Sequence, residues 1–264
     1  MFVLNRTTQK LYYDDPSLTE CTARVVKVDL NHVELDATAA YPEGGGQDAD
    51  QGVIIIPDGR EIRFVHVRKM YGNRALLADF PDIQVGGIIE HVVHDDDLPL
   101  LPCLAAGMLV VVRIERLRRA QLSLSHTAAH LLYLGVAAVR PGAIAGIFGC
   151  HIRTDAARLD FSVTDRFTID DVGQIERIAN ELVTRDSEVR VYPHEKFRDA
   201  RYWECEGNVM PCGGTHISST GRIGVMRISR KSLGKGKERL SVNFDNATFD
   251  LGEALRPEDL GDSP

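Results

Sequence analysis

Two short segments constrain this chain most: His126-Thr127-Ala128-Ala129-His130 and Pro211-Cys212-Gly213-Gly214-Thr215-His216. Residues four apart on a helix share a face, so His126 and His130 can aim both imidazoles at one point. In the second segment two glycines let the backbone turn tightly and point the Cys212 thiol and the His216 ring inward. Each segment alone also reads as ordinary packing: a helical histidine pair in a core, or a buried cysteine beside a surface histidine. Together they offer three imidazoles and a thiolate, a donor set suited to zinc. Any fold must then bring two distant segments to one place. No glutamate stands between the histidines, which counts against the chemistry of helical zinc proteases. Four protein ligands also make the closed arrangement usual for structural zinc, whereas catalysis needs an open or exchangeable position.

The rest of the sequence predicts an α+β fold in two parts. Residues 22–35 are rich in strand formers, 52–56 read as a short buried strand ended by Pro57-Asp58-Gly59, and 61–68 alternate imperfectly. In that last run Ile62 and Phe64 share a face with His66 while Val65 and Val67 point the other way, so the buried side is ambiguous. Short strands separated by turn signals predict a small N-terminal β-barrel over residues 1–108. Pro99, Pro102 and the apolar strand after Gly107 read as the passage into a second domain, 109–245, with a boundary near residue 110. That domain should hold a helix over 125–139, capped by Ser125 and stopped before Pro141-Gly142. A strand over 158–163, an amphipathic helix over 170–184 and strands over 189–192 and 224–228 follow. Residues 246–264 read as a loose tail.

Five cysteines without framework spacing argue for a reducing compartment. Residues 1–13 carry no secretory pattern, and the most apolar stretch, 98–112, is short and broken by Pro99 and Pro102. A cytoplasmic location is expected. The net charge of −7 disfavours a nucleic-acid partner only on average. Arg227, Arg230, Lys231, Lys235, Lys237 and Arg239 cluster around a single acid, Glu238, and Arg113, Arg116, Arg118 and Arg119 lie around Glu115. Such patches bind phosphates or are simply solvated faces.

The two ligand segments resemble the histidine pair and the cysteine–histidine motif of the editing domain shared by alanyl-tRNA synthetases and their freestanding relatives, the AlaX proteins. Tyr41-Pro42-Glu43-Gly44-Gly45-Gly46-Gln47 is similar to the glycine-rich loop of that family's N-terminal barrel. Arg158-Leu159-Asp160-Phe161, the helix over 175–183 and Gly234-Lys235-Gly236-Lys237 also resemble family framework, so the likeness spans about residues 1–245 in order. With no aminoacylation domain ahead of these motifs, the longer freestanding type is expected.

The resemblance implies a zinc-dependent aminoacyl-tRNA hydrolase that removes serine or glycine from mischarged alanine tRNA, with its active site between the two domains. It implies one Zn2+ per chain, held by His126, His130, Cys212 and His216, with His126, His130 and Gln47 serving the reaction. Gly44, Gly45, Gly46 and Gln47 would close over the 3′ end of tRNA(Ala), while Lys235, Lys237 and Arg239 would meet acceptor-stem phosphates. Thr127, Cys150, His151 and Thr215 are the expected substrate-pocket residues. The family's serine-reading hydroxyl is expected after the first helix, yet residues 141–151 contain no Ser, Thr or Tyr. Glycine, or serine read by another residue such as Thr127, therefore stays open. So do a threonine-tRNA editing hydrolase, a noncatalytic zinc-stabilised RNA-binding module, a general zinc hydrolase of small esters or amides, and a monomeric or homodimeric state.

Overall fold

The computed structural model describes residues 7–249, so the expected loose tail beyond 249 lies outside the described residues. Six antiparallel strands close the N-terminal barrel: Glu20–Val28, His32–Leu35, Gly52–Ile55, Glu61–Met70, Ile88–Val93 and Leu109–Ile114. The strand-forming run over 22–35 makes two strands. Asp29 turns the chain between them, its N–H donating to the His32 carbonyl at 2.9 Å and its side chain accepting from the Leu30 N–H at 2.8 Å. Side chains from alternate positions, among them Val25, Val33, Ile54, Ile62, Phe64, Ile89 and Val112, fill the interior.

Two details correct the sequence reading of this half. Leu109–Ile114 is the strand that closes the barrel, pairing with Glu20–Val28 on one side and Gly52–Ile55 on the other. Without it two strand edges would stay unpaired, so the barrel reaches past residue 108 to Ile114. The ambiguous face of Glu61–Met70 is settled by a bulge. Its register against Ile88–Val93 shifts between Phe64 and His66, and the extra residue flips the alternation. Ile62, Phe64 and Val67 are therefore buried, and Val65 is 40% exposed.

The second half is built on helix α1, Arg116–Val139, packed against helix α2, Ile169–Thr184. α1 begins well before the expected Ser125, which is a buried mid-helix residue and caps nothing. Ala120, Leu122 and Leu124 carry the apolar stripe back toward the barrel. This helix is long and apolar enough to cross a bilayer by length and composition, but 67% of its most apolar stretch is buried inside the fold. α2 starts at a capping box: Thr168 Oγ1 accepts the Asp171 N–H at 3.0 Å, and the Thr168 N–H donates to Asp171 at 2.8 Å. Its Ile175, Ala179 and Leu182 are buried in the core shared with α1.

Strands Ile147–Ile152, Ala157–Ser162, Lys237–Asp245 and Val225–Gly234 form an antiparallel sheet in that order. The strand expected over 224–228 continues to Gly234 as one arm of an exposed hairpin. A second sheet, Val189–Pro193, Arg201–Cys205 and Asn208–Pro211, carries the loop that holds Cys212 and His216.

One buried ion pair docks α1 on the barrel. Arg119 and Asp50 are 0% and 1% exposed, and the guanidinium also donates to the carbonyls of Pro16 at 2.7 Å and Ala39 at 2.6 Å. The expected basic patch around Glu115 is thus a structural joint in large part. Arg119 is buried, Arg118 donates to the Ala49 carbonyl, and Arg113 pairs with Glu20.

Candidate metal centre and its cavity

α1 and the loop after strand Asn208–Pro211 bring the four expected ligands together. One ligand atom from each of His126, His130, Cys212 and His216 lies within 4.8 Å of every other. Cys212 Sγ is 3.4 Å from His126 Nε2 and 3.3 Å from His216 Nε2. Zinc bonds of about 2.0–2.3 Å in a tetrahedron place donor atoms about 3.5 Å apart, so these spacings already suit such an ion.

Buried partners set the imidazole tautomers. Gln47 Oε1 is an acceptor only, so His126 must donate from Nδ1, at 2.8 Å, which frees Nε2 to face the cluster. Thr127 Oγ1 gives its proton to the Ser123 carbonyl at 2.9 Å and therefore accepts from His216 Nδ1 at 3.1 Å, again freeing Nε2. The His130 Nδ1 lies against the Met210 thioether, and its ring stacks on Trp203 with centroids 4.5 Å apart. Burial depresses the His126 pKa to about 3 and holds His130 and His216 well below their usual value, so all three rings are neutral and able to ligate. The same burial pushes the Cys212 thiol up to about 12. A bound cation reverses that preference, because thiolate binding to metal releases the proton. The donor set and its spacing fit zinc.

Space, more than turning, fixes the sequence at Gly214. A Cβ there would stand 2.1 Å from His126 Cε1 and 2.8 Å from Gln47 Oε1. Neither Gly213 nor Gly214 has a positive φ, which corrects the tight-turn reading of that pair. The glycine-rich loop is held on both sides. Gly44 and Gln47 exchange backbone hydrogen bonds at 3.1 and 3.0 Å, and the Ile152 N–H donates to the Gly46 carbonyl at 2.8 Å. Gly46 has φ +85°, and a Cβ would meet Cys150 Sγ at 2.2 Å.

The cluster opens on a cavity of about 860 Å³ between the barrel and the second half. Tyr12, Tyr13, Tyr41, Gly44, Gly45, Lys69 and Phe80 supply the barrel side. His126, His130, Tyr133, Cys150, Leu159, Arg201 and Cys212 supply the other. A mostly apolar cavity with few polar groups thus lies where the site between the domains is expected.

Several expected roles shift. Gln47 is fully buried behind His126 and does not line the cavity, nor does Gly46; only Gly44 and Gly45 of that loop do. Cys150 is on the cavity wall, with Sγ donating to the Gly45 carbonyl at 3.2 Å. His151 points to the opposite face of its strand and pairs with Asp48 at 2.9 Å. Thr127 and Thr215 are buried and outside the cavity wall. The Thr127 hydroxyl is fully used by Ser123, His216 and the Ile217 N–H, which leaves it nothing for a serine substrate. Thr215 accepts from Gln47 Nε2 at 2.9 Å and from Ser123 at 2.8 Å. Lys235 and Lys237 are exposed at the hairpin tip, Lys237 over the Phe148 ring at 5.2 Å. Arg239 is bound to Asp160 by two hydrogen bonds of 2.7 and 3.0 Å, so its guanidinium is occupied.

Sequence reading missed Ser123, Met210 and Trp203 as supports of the ligands, and Tyr12, Tyr13, Lys69 and Arg201 as cavity wall. Nothing in their local spacing signals those roles, which arise only when separate elements meet.

Comparison with known proteins places the chain beside two kinds of synthetase. Residues 189–241, which include Cys212 and His216, match the family described as the Threonyl and Alanyl tRNA synthetase second additional domain. The chain is 33% identical to an alanine–tRNA ligase of Pyrococcus furiosus over 94% of its own length and 26% of the ligase. It is 33% identical to the corresponding ligase of Ignicoccus hospitalis, covering 96% of this chain and 27% of that one. For the Methanopyrus kandleri ligase the identity is 33%, over 94% and 26%. The chain thus spans about a quarter of the length of these relatives, and the likeness takes in the barrel as well as the metal centre.

Proposed function

Given that this chain belongs with the AlaX-like relatives of the alanyl-tRNA synthetase editing region, we propose that it is a trans-editing hydrolase. It cleaves the ester joining a wrong amino acid, serine or glycine, to the 3′-terminal ribose of tRNA(Ala). The observation that carries this reading is a cluster of four side chains able to hold a metal ion, three of which, His126, His130 and Cys212, line a cavity between the barrel and the second half.

Ester hydrolysis needs a positioned water, a stabilised oxyanion and a held substrate. Zinc, held by His126, His130, Cys212 and His216, would supply Lewis-acid polarisation of the ester carbonyl or of that water. The chain's own residues do the positioning. Gln47 fixes the His126 tautomer, and Thr127 fixes that of His216. Gly44 and Gly45 offer bare backbone to the cavity, and Tyr12, Tyr13, Tyr41 and Tyr133 give it aromatic walls against which a terminal nucleoside would pack. Cys150 lies in the stretch 141–151 where the resemblance puts the serine-reading group, and its side chain lines the cavity. Its weakly polar thiol favours glycine over serine as the amino acid removed.

The exposed Lys231, Lys235 and Lys237 of the hairpin would meet acceptor-stem phosphates, without Arg239. The five free cysteines suit the cytoplasm, where translation takes place.

The test is hydrolysis of Ser-, Gly- and Ala-charged tRNA(Ala) by the wild type and His126→Ala. Release of serine or glycine but not alanine, falling at least about 100-fold in the variant, is the expected result. No release from any of the three would overturn the proposal. Mischarged threonine tRNA then becomes the substrate to try, since the matched family spans both synthetases.

A further inference from the structure

The cavity holds a second polar group that the metal centre does not use. Lys69 from the barrel and Arg201 from the second half both line its wall. Lys69 Nζ donates to the Gln84 carbonyl and lies 3.8 Å from Asp199 Oδ2. That carboxylate is already engaged: Asp199 Oδ1 accepts from Lys10 Nζ at 2.6 Å, and Asp199 Oδ2 accepts from the Gly86 N–H. Lys10 is itself buried. Arg201 is 6% exposed. Among the described residues its guanidinium has no carboxylate partner within 4 Å. It bonds the Val191 carbonyl at 3.2 Å and lies over the Tyr13 ring at 5.1 Å.

Lys10 and Lys69 therefore share one carboxylate, while Arg201 in the same largely apolar cavity has none within reach. The other acids there, Glu43 and Asp82, have side chains 61% and 89% exposed at the rim, where they pair with His66 and Arg74. A buried guanidinium without a counter-charge is costly unless something anionic completes it. The group also has a fixed place relative to the metal ligands. The Arg201 carbonyl accepts the Cys212 N–H at 2.8 Å, and a Cβ on Gly213 would lie 3.6 Å from Tyr13 Oη and 3.8 Å from the Asp199 carbonyl. Burial and the Lys10 charge lower the Lys69 pKa to about 8, the response of an ammonium short of negative neighbours.

We infer that Lys69 and Arg201, backed by Lys10 and Asp199, form a phosphate subsite for the phosphodiester on the 5′ side of the terminal nucleoside. This rests on the hydrolase reading only for the identity of the nucleic acid; the chemistry claimed is a phosphate in this wall. The subsite would anchor the nucleoside from its phosphate end, while its acylated ribose reaches the metal ligands.

The test is equilibrium binding of adenosine, adenosine 5′-monophosphate and a CCA trinucleotide to the full, metal-loaded chain. The monophosphate is expected to bind about tenfold or more tighter than adenosine. Lys69→Gln removes most of that margin, and Lys69→Arg keeps it. A trinucleotide with a neutral methylphosphonate in its last linkage binds wild type and Lys69→Gln alike, while the natural trinucleotide separates them by about tenfold. Equal binding of adenosine and its monophosphate by the wild type would overturn the subsite, as would a margin that survives Lys69→Gln. A wild-type margin for the monophosphate but not for the natural over the methylphosphonate trinucleotide would overturn its assignment to the RNA 3′ end. Phosphate preference in a protein that hydrolyses no charged tRNA would leave the subsite standing and remove the hydrolase reading instead.

Discussion

Adjacent glycines in the Cys212–His216 loop should respond oppositely to the same substitution. In Gly214→Ala the new Cβ would sit 2.1 Å from His126 Cε1, 2.2 Å from His126 Nδ1 and 2.8 Å from Gln47 Oε1. Ordinary contact begins near 3.4 Å, so the ring must retreat by more than about 1 Å. That retreat breaks the 2.8 Å bond to Gln47 and moves Nε2 away from its place 3.4 Å from Cys212 Sγ. Overpacking at about 1–3 kcal/mol and one buried hydrogen bond at about 1 kcal/mol give a loss of about 2–4 kcal/mol. Metal affinity should fall at least about 10–100-fold, the usual effect of disturbing a ligand's support. In Gly213→Ala the Cβ meets nothing nearer than 3.6 Å, and φ lies outside the left-handed region. The result should be neutral or a gain of about 0.5 kcal/mol through the unfolded chain. Chelator competition gives the metal affinity, and thermal unfolding in excess chelator gives the stability. The reasoning fails if Gly214→Ala keeps wild-type affinity within twofold, or if the two substitutions do equal damage.

His91 carries a pH prediction. Fully buried in the barrel, it donates from Nδ1 to the Val33 carbonyl at 3.2 Å and accepts at Nε2 from Thr38 Oγ1 across 2.9 Å, and desolvation lowers its pKa from 6.5 to about 4. Unfolded chains bind the proton first, so this residue's contribution is intact above about pH 6.5 and is lost as pH falls toward 4. At about 1.4 kcal/mol per pH unit the loss reaches up to about 3 kcal/mol. Melting curves of wild type and His91→Gln between pH 7 and 4.5 should diverge in slope; parallel slopes would show that His91 is not the titrating group. Asp50→Ala should cost about 3–5 kcal/mol in denaturant unfolding, because it leaves the Arg119 guanidinium buried without its carboxylate. A loss below about 1 kcal/mol would mean that the Pro16 and Ala39 carbonyls alone satisfy that arginine.

The ligands were legible because helical spacing is a local rule: His126 and His130 must share a face wherever α1 packs. Barrel strands were legible from alternation, except where an insertion broke the period, as between Phe64 and His66. α1 was cut short because Ser125 has the side chain of a cap but the setting of a core residue, and only packing distinguishes the two. Charge roles were the least legible. Arg239 and Arg119 look alike in sequence to Lys235, yet their partners Asp160 and Asp50 come from strands and loops far along the chain. The substrate-pocket expectation failed for His151 through strand parity, and for Thr127 and Thr215 because ligand support had already used their hydroxyls.

Gln47 belongs to the barrel, whereas the imidazole whose proton it fixes belongs to α1. The candidate metal centre is therefore not a property of either half. A gene fragment encoding only the residues after Ile114 would carry all four ligands and still lack the group that tells His126 which nitrogen to present. Recombination that moved such a fragment into another protein would have to bring the glutamine with it or find a substitute. That dependence ties the inheritance of the small barrel to the inheritance of the metal ligands.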